Sequence, residues 1–381
     1  MTMTTKPVRI AADVSGPTPR KFPLWPVIWT ALALVVLILI GYHARVGAVS
    51  ARIRTPGFPD GPAPRPVDPL FGYHHWVALL QILTVVMVVQ MLGLLVWAIR
   101  RHPGHPYLLM GVVTTLIVWQ DPIMNWSPFA VYNPDLAHWP EDWPLVSLSP
   151  TVEPFLVIGY ASFYFGPYFL ANPVLKRIQA ARPTDSFVWR HPLISLTVLL
   201  LVFGFVMDMI LEVTLVRTGM YIYSQVIPFG SIFVGRPWQF PLLWESTLVC
   251  LVMIPAGILV YRDDTGRTVA EKLARRARLF PGRPALGMFA VMFVIINIAY
   301  FAYGFGFQLI KISGTATSVA CPWPYPEAKV YDPQGMYEKN GQPGPYSVGI
   351  WSTWMSGQPH GRPDVSLPAG GGRCAPEPHH G

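Results

Sequence analysis

The chain has 381 residues, of which 52% are hydrophobic and only 13% charged, and its mean hydropathy is +0.39. A soluble domain carries about 25% charged residues, so a water-soluble fold of this length would be short of polar surface, which excludes a cytosolic globular enzyme and a disordered chain alike. The formal net charge of +8 does not point to nucleic acid, because the Lys and Arg residues lie between apolar runs and not in one stripe; membrane lipids are the partner expected.

Residues 1–21 read as a flexible, polar, cytoplasmic arm. A helix that crosses the bilayer core needs about 20 apolar residues, and seven runs meet or approach that length. The first, Phe22 to Ala44, is uncharged between Lys21 and Arg45. It reads as a retained anchor, although Ala48-Val49-Ser50 resembles a small-residue processing site, because the apolar part is long and a long polar arm precedes it. Residues 55–69 are Pro-rich and unsuited to helix or sheet. The other runs are Tyr73 to Ile99, Pro106 to Gln120 (ending in Asp121-Pro122), Pro154 to Leu175, Pro192 to Val216, Pro237 to Tyr261 and Pro284 to Ile310. The expected fold is therefore all-α: a bundle of about seven transmembrane helices over residues 22–310, followed by a Pro/Gly-rich, largely irregular tail over residues 311–381. No inverted repeat of the transporter kind is present.

Lys and Arg concentrate in the N-terminal arm and in alternate loops: Arg100 and Arg101, then Lys176 to Arg190, then the cluster from Arg262 to Arg283. The loop from Met124 to Thr151 has neither residue. Basic loops face the cytoplasm, so the chain is expected in the cell membrane with its N-terminus inside and its tail outside. An external tail would sit in an oxidising space where Cys321 and Cys374 can pair, whereas Cys250, inside the sixth run, reads as a small core residue.

Ionisable groups within a membrane cost about 3 kcal/mol or more and default to functional candidates. Five acids qualify as catalytic candidates: Asp121, Glu153, Asp208, Glu212 and Glu245. Asp208 and Glu212 are four residues apart and share one helix face. With the expected topology all five fall in the outer half of the bundle, and no Lys or Arg lies beside them in the spans. Close carboxylates in a low dielectric cannot all ionise, and a protonated acid beside a carboxylate suits acid-catalysed chemistry at a C–O bond. Asp208 and Glu212 are the expected proton-handling pair, supported by Glu245. His74-His75 and His102/His105 fall on opposite sides of the membrane, so neither a metal nor a haem site is expected from them. The aromatic loop from Trp119 to Pro154 reads as a lid over a pocket for an apolar ligand with a few oxygens, or as an interfacial aromatic belt. Asn125, Trp126, Tyr132, Asn297 and Tyr300 are the candidate substrate contacts; Asn297, in mid-span, would serve equally to bond a neighbouring helix.

The strings WQDPIMNW (119–126), YNP (132–134) and LSPTVEPFLVIGY (148–160) resemble the spirocyclase AveC-like family of actinobacterial membrane proteins, and the likeness runs from about Tyr73 to Ile310. The resemblance implies spiroketal formation, the closing of a dihydroxyketone onto one carbon, or a dehydration, with no cofactor. A lipophilic hydroxy-ketone would be the substrate of such an enzyme. A proton-coupled carrier of a lipophilic substrate and a non-catalytic subunit of a membrane complex are the alternatives that the same buried acids leave open.

The topology has a direct check. Reporter fusions placed after residues 140 and 340 should both report the external side, and a cytoplasmic signal at either position defeats the assignment.

Overall fold

The computed structural model describes residues 70–320 apart from 126, 128–129, 134–135, 140–144, 147–148, 150–152 and 224. The expected first span, the N-terminal arm, the Pro-rich segment, the tail beyond residue 320, the Cys321–Cys374 pairing and Trp126 lie outside the described residues.

Helix α1 (Trp76–Arg101) is a long apolar rod that ends at a tight corner. Pro103 cannot continue the helix, Gly104 takes a left-handed φ of +78°, and His105 caps the next helix by accepting the Tyr107 N–H at its Nδ1. Helix α2 (Pro106–Leu116) therefore starts with Pro at its first position, where the missing N–H costs nothing. It runs on through a 3-10 turn (Ile117–Gln120) into a one-turn helix (Asp121–Met124). Helix α3 (Tyr160–Ala180) is entered through a 3-10 segment, Phe155–Gly159, and is followed by α4 (Pro192–Arg217). Helices α5 (Leu242–Leu248) and α6 (Cys250–Val260) form one rod, because Val249 between them is itself helical. The short amphipathic α7 (Val269–Arg276) leads to α8 (Pro284–Ile312).

Five helical segments are long and apolar enough to cross a membrane: α1, α2 with its extension to Met124, α4, the α5–α6 rod and α8. The chain is thus a helical membrane protein of the expected class. Helix α3, expected as a span, falls short of that apolarity because the helix begins only at Tyr160, so that any 18 consecutive residues of it include Lys176 and Arg177 as well as two or more of Tyr160, Tyr164, Tyr168 and Asn172. It nevertheless occupies the middle of the bundle, against α2, α4 and α6. The helices α2, α3, α4, α6 and α8 enclose the main hydrophobic core, while α1 stands at the edge and leaves Ile82, Val85, Val86, Val89 and Trp97 exposed. Lipid tails are the natural cover for such a face.

The two ends of the bundle differ. At one end lie Arg100, Arg101, Lys176, Arg177 and the α6–α8 connection, where Thr268 caps α7, Lys272 pairs with Asp263, and Arg275 meets Glu271 at 2.8 Å. The Lys272 and Thr265 hydrogen bonds hold the Asp263 carboxyl down at about 2. At the other end, loops cross the helix mouths. Strand β1 (Ala130–Tyr132) pairs antiparallel with β2 (Tyr221–Tyr223), placing Ala130 opposite Tyr223 and Tyr132 opposite Tyr221. Strand β3 (Gln225–Val226) pairs with β4 (Ser318–Val319). The segments that follow α2, α4 and α8 are therefore stitched over the same end, above a second apolar cluster containing Val157, Met220 and Phe240.

Close approach of α4 and α6 depends on two glycines. A Cβ on Gly257 would stand 2.6 Å from Leu200 Cδ1, and one on Gly204 would stand 2.9 Å from Met253 Sδ. Leu200 is completely buried and has no space to retreat. Gly257→Ala should therefore cost about 1–3 kcal/mol through overpacking and lower the thermal midpoint of the detergent-solubilised protein. Gly93→Ala, in α1 with nothing within 4 Å of the added methyl, should be neutral or stabilise by about 0.5–1 kcal/mol.

Candidate active site

All five acids expected as catalytic candidates converge at the stitched end of the bundle. Asp121 comes from the end of α2, Glu153 from the residues entering α3, Asp208 and Glu212 from the last turns of α4, and Glu245 from the first turn of α5. Each is buried. Ion pairs to any of the five are absent among the described residues. Their charge is met by neutral donors, most of them tyrosines, in two linked groups.

The first group is built on Asp121. Asn125, one helical turn on, donates from Nδ2 to Asp121 Oδ2 at 2.9 Å and to Glu153 Oε2 at 3.5 Å, so one amide bridges both carboxyls. The hydroxyls of Tyr160 and Tyr300 both donate to Asp121 Oδ1, the latter at 2.7 Å. Glu153 is held in place by its backbone: its carbonyl accepts the Trp139 N–H at 2.8 Å, and Pro154 bridges to His138. Burial first, then the charge of Asp121 and the hydrogen bond between the two side chains, push the Glu153 carboxyl well above the usual carboxylate range, against the smaller opposing effects of Ser149 and Asn125. Its Oε1 has no partner among the described residues. The proton that two carboxyls in contact must share therefore belongs on Glu153.

The second group joins α4 to α5. Asp208, Glu212 and Glu245 each bring a carboxylate oxygen within 4.8 Å of the others. The i, i+4 spacing on α4 sets the first two on one face, as expected, and the depth of α5 supplies the third. Tyr223 OH donates to Glu212 Oε2 at 3.2 Å, and Tyr303 OH donates to Glu245 Oε1. Both oxygens of Asp208 and Glu245 Oε2 remain without a hydrogen-bond partner.

Tyrosine rings link the groups. Tyr160, Tyr164, Tyr300 and Tyr303 follow one another with centroids 4.9, 5.7 and 5.7 Å apart. From the cap, Tyr132 lies within the fields of Asp121, Glu153 and Glu212, and Tyr223 within those of Glu212 and Glu245; burial and then these charges hold both hydroxyls protonated, well above the ordinary phenol range. These two are donors, not bases.

Among the expected substrate contacts, Asn125, Tyr132 and Tyr300 lie in this layer. Asn297 does not. Its Oδ1 accepts from Trp119 Nε1 and Gln120 Nε2, both at 2.8 Å, and its Nδ2 donates to the Phe293 carbonyl at 2.7 Å, so the side chain is used in tying α8 to α2. Tyr160, Tyr164 and Tyr223 were not among the expected site residues; the one-turn spacing of Tyr160 and Tyr164 was the available signal, and the helical spacing of Asn297, Tyr300 and Tyr303 already set Tyr303 toward the same cavity. Of the histidines, His105 is used as the cap of α2. Cys250 is buried, as expected of a core residue, and its thiol donates to the Ser246 carbonyl at 3.2 Å.

A family model described as spirocyclase AveC-like matches residues 99–331, which include all five acids and their tyrosine partners. No curated protein and no solved structure matches the chain.

Removing the helix tie tests the placement of Asn297. Asn297→Leu gives up two hydrogen bonds to α2, each worth about 0.6–1.7 kcal/mol inside a membrane bundle, and should lower the thermal midpoint measurably. An unchanged midpoint would return Asn297 to the list of ligand contacts.

Proposed function

The chain belongs to the spirocyclase AveC-like family, and on that footing we propose that it is a membrane-embedded cyclase or dehydratase of a lipophilic hydroxy-ketone whose acid–base pair is Glu153 and Asp121. The observation that carries the reading is the pairing itself: two buried carboxyls share the single Asn125 amide, one with three donors and the other with a free oxygen. The three donors on Asp121 make it the acceptor, while Glu153 holds the proton.

The steps follow from those roles. One hydroxyl of a dihydroxyketone adds to the carbonyl carbon to give a hemiketal. Glu153 gives its proton to the hemiketal oxygen, the C–O bond breaks and water leaves, with an oxocarbenium ion remaining. The Asp121 carboxylate stabilises that cation at close range, an effect strengthened in a site away from bulk water. The second hydroxyl then bonds to the carbon and releases its proton to the carboxylate pair, which restores the starting state. The net change is loss of one water. If the cation instead loses a neighbouring C–H proton, the outcome is dehydration to an enol ether, so both activities draw on one pair. Tyr160 and Tyr300 fix Asp121, and the β1–β2 pair lies over the same end of the bundle. With the basic end cytoplasmic, the pair lies buried in the outer half of the membrane, the side on which a lipophilic substrate would have to enter.

Membranes containing the full chain should convert a lipophilic dihydroxyketone to its spiroketal, detected by mass spectrometry as loss of water. Glu153→Gln should lower the rate about 10²- to 10⁴-fold with protein level unchanged. Because the raised Glu153 must carry its proton to act, the wild-type rate should fall as pH rises through its ionisation. A Glu153→Gln, Asp121→Asn double variant that still cyclises at the wild-type rate would defeat the assignment. A proton-coupled carrier would instead move the ketone unchanged, an outcome the same product assay separates.

A further inference from the structure

We propose that Asp208, Glu212 and Glu245 form a binding site for one divalent cation of the hard, oxygen-preferring class to which Mg²⁺, Mn²⁺ and Ca²⁺ belong. The site is separate from the Glu153–Asp121 pair and does not depend on the reaction assigned to it.

Geometry is the first support. Carboxylate oxygens from all three residues lie within 4.8 Å of one another. A cation bound at about 2.0–2.6 Å from each ligand oxygen fits between oxygens at such separations. Two ligands stand one turn apart on α4, and the third is in the first turn of α5 where it packs on α4, so helices and not loops hold the donor set.

The second support is independent of the clustering. Asp208 is 0% exposed, yet among the described residues neither of its carboxylate oxygens has a partner at good hydrogen-bond geometry, and the same is true of Glu245 Oε2. Ser246 Oγ, also 0% exposed, is the one neutral donor that approaches Asp208, and it does so without reaching good hydrogen-bond geometry. Buried carboxylates left without donors are strongly destabilising unless paired, protonated or metal-bound. Three carboxylate oxygens without a good partner among the described residues, in a cluster of three acids, describe a ligand set. The tyrosine hydroxyls of Tyr223 and Tyr303 meet Glu212 Oε2 and Glu245 Oε1 and leave both oxygens of Asp208 and Glu245 Oε2 for an ion.

The chemistry of the donors selects the class of ion. All are oxygens, which suits hard cations. The one sulfur close by, Cys250 Sγ, donates to the Ser246 carbonyl and stands outside the set. A divalent ion would cancel two of three like charges and join α4 to α5 at the end of the bundle where the loops cross.

Manganese is the probe. The purified full chain in detergent, stripped with a chelator and passed through a desalting column, is titrated with Mn²⁺ while the resonance of the free aquo ion is followed by electron paramagnetic resonance. One equivalent should be taken up, Mg²⁺ or Ca²⁺ should displace it, and the thermal midpoint should rise on binding. Asp208→Asn and Glu245→Gln, which keep shape while removing charge, should each weaken uptake by about tenfold or more and abolish the rise in midpoint, with the gel-filtration profile of the wild type. Asp263→Asn, at the opposite, basic end, should leave uptake unchanged. Absence of uptake by the wild type, equal uptake by the double-amide variant, or loss of uptake in Asp263→Asn would each overturn the site.

Discussion

Five carboxyl groups are buried at one end of an apolar bundle, and every described ion pair lies at the other end. An isolated charge in such surroundings costs several kcal/mol or more, so the residues around the acids are constrained first by the need to supply hydrogen-bond donors without supplying charge. Tyrosine meets that need better than Ser or Thr, because its hydroxyl is carried out beyond a large apolar ring that can pack in a core. Tyr160, Tyr223, Tyr300 and Tyr303 all spend their hydroxyls on carboxylates. The rings of Tyr160, Tyr164, Tyr300 and Tyr303 form a continuous aromatic run between the two acid groups.

The same constraint accounts for α3. A helix with three tyrosines, an asparagine and a Lys-Arg pair along its length is a poor membrane span by composition, yet it packs against α2, α4 and α6 with its tyrosines turned inward and Phe169 and Leu170 on its exposed face. Its polar atoms are needed inside: Tyr160 holds Asp121, and Tyr168 reaches Tyr107 at 3.3 Å. The helices with purely apolar faces, α1 most of all, take the perimeter. The perimeter is apolar because the solvent there is hydrocarbon, while the interior combines an apolar core with the few polar groups that find partners in it.

The cap completes the arrangement. Strands β1 and β2 bring Tyr132 and Tyr223 down onto the acids from above, and Gln239 Nε2 donates to both the Tyr223 carbonyl, at 2.8 Å, and the Ser318 carbonyl, at 3.1 Å. Loops that would be open at a bilayer surface are instead paired with one another, which keeps water from the carboxyls and holds Glu153 by its backbone. The proton chemistry proposed for Glu153 and Asp121 and the cation site proposed for the triad both draw on this exclusion of water, which strengthens every electrostatic interaction inside.

The sequence by itself determined that this is a helical membrane protein, where most of its spans run, and which acids stand inside it, because hydropathy over about 20 residues reads the bilayer directly. The i, i+4 spacing likewise placed Asp208 and Glu212 on one face before any fold was known. Even the strings around Asp121 and Glu153 carried the family resemblance. What only the tertiary structure decided is which groups meet. The Asn125 amide that joins Asp121 to Glu153, itself 28 residues further along the chain, Glu245 beside an α4 pair, and the division of five acids into a pair and a triad all depend on helix rotation and depth, which a one-dimensional period does not fix. Asn297 shows the limit plainly: it shares a helix with Tyr300, three residues on, but its side chain is turned toward Trp119 and Gln120 while Tyr300 reaches Asp121. Three residues along a helix rotate a side chain by most of a turn but not all of it, and that remainder separates a helix tie from a site residue.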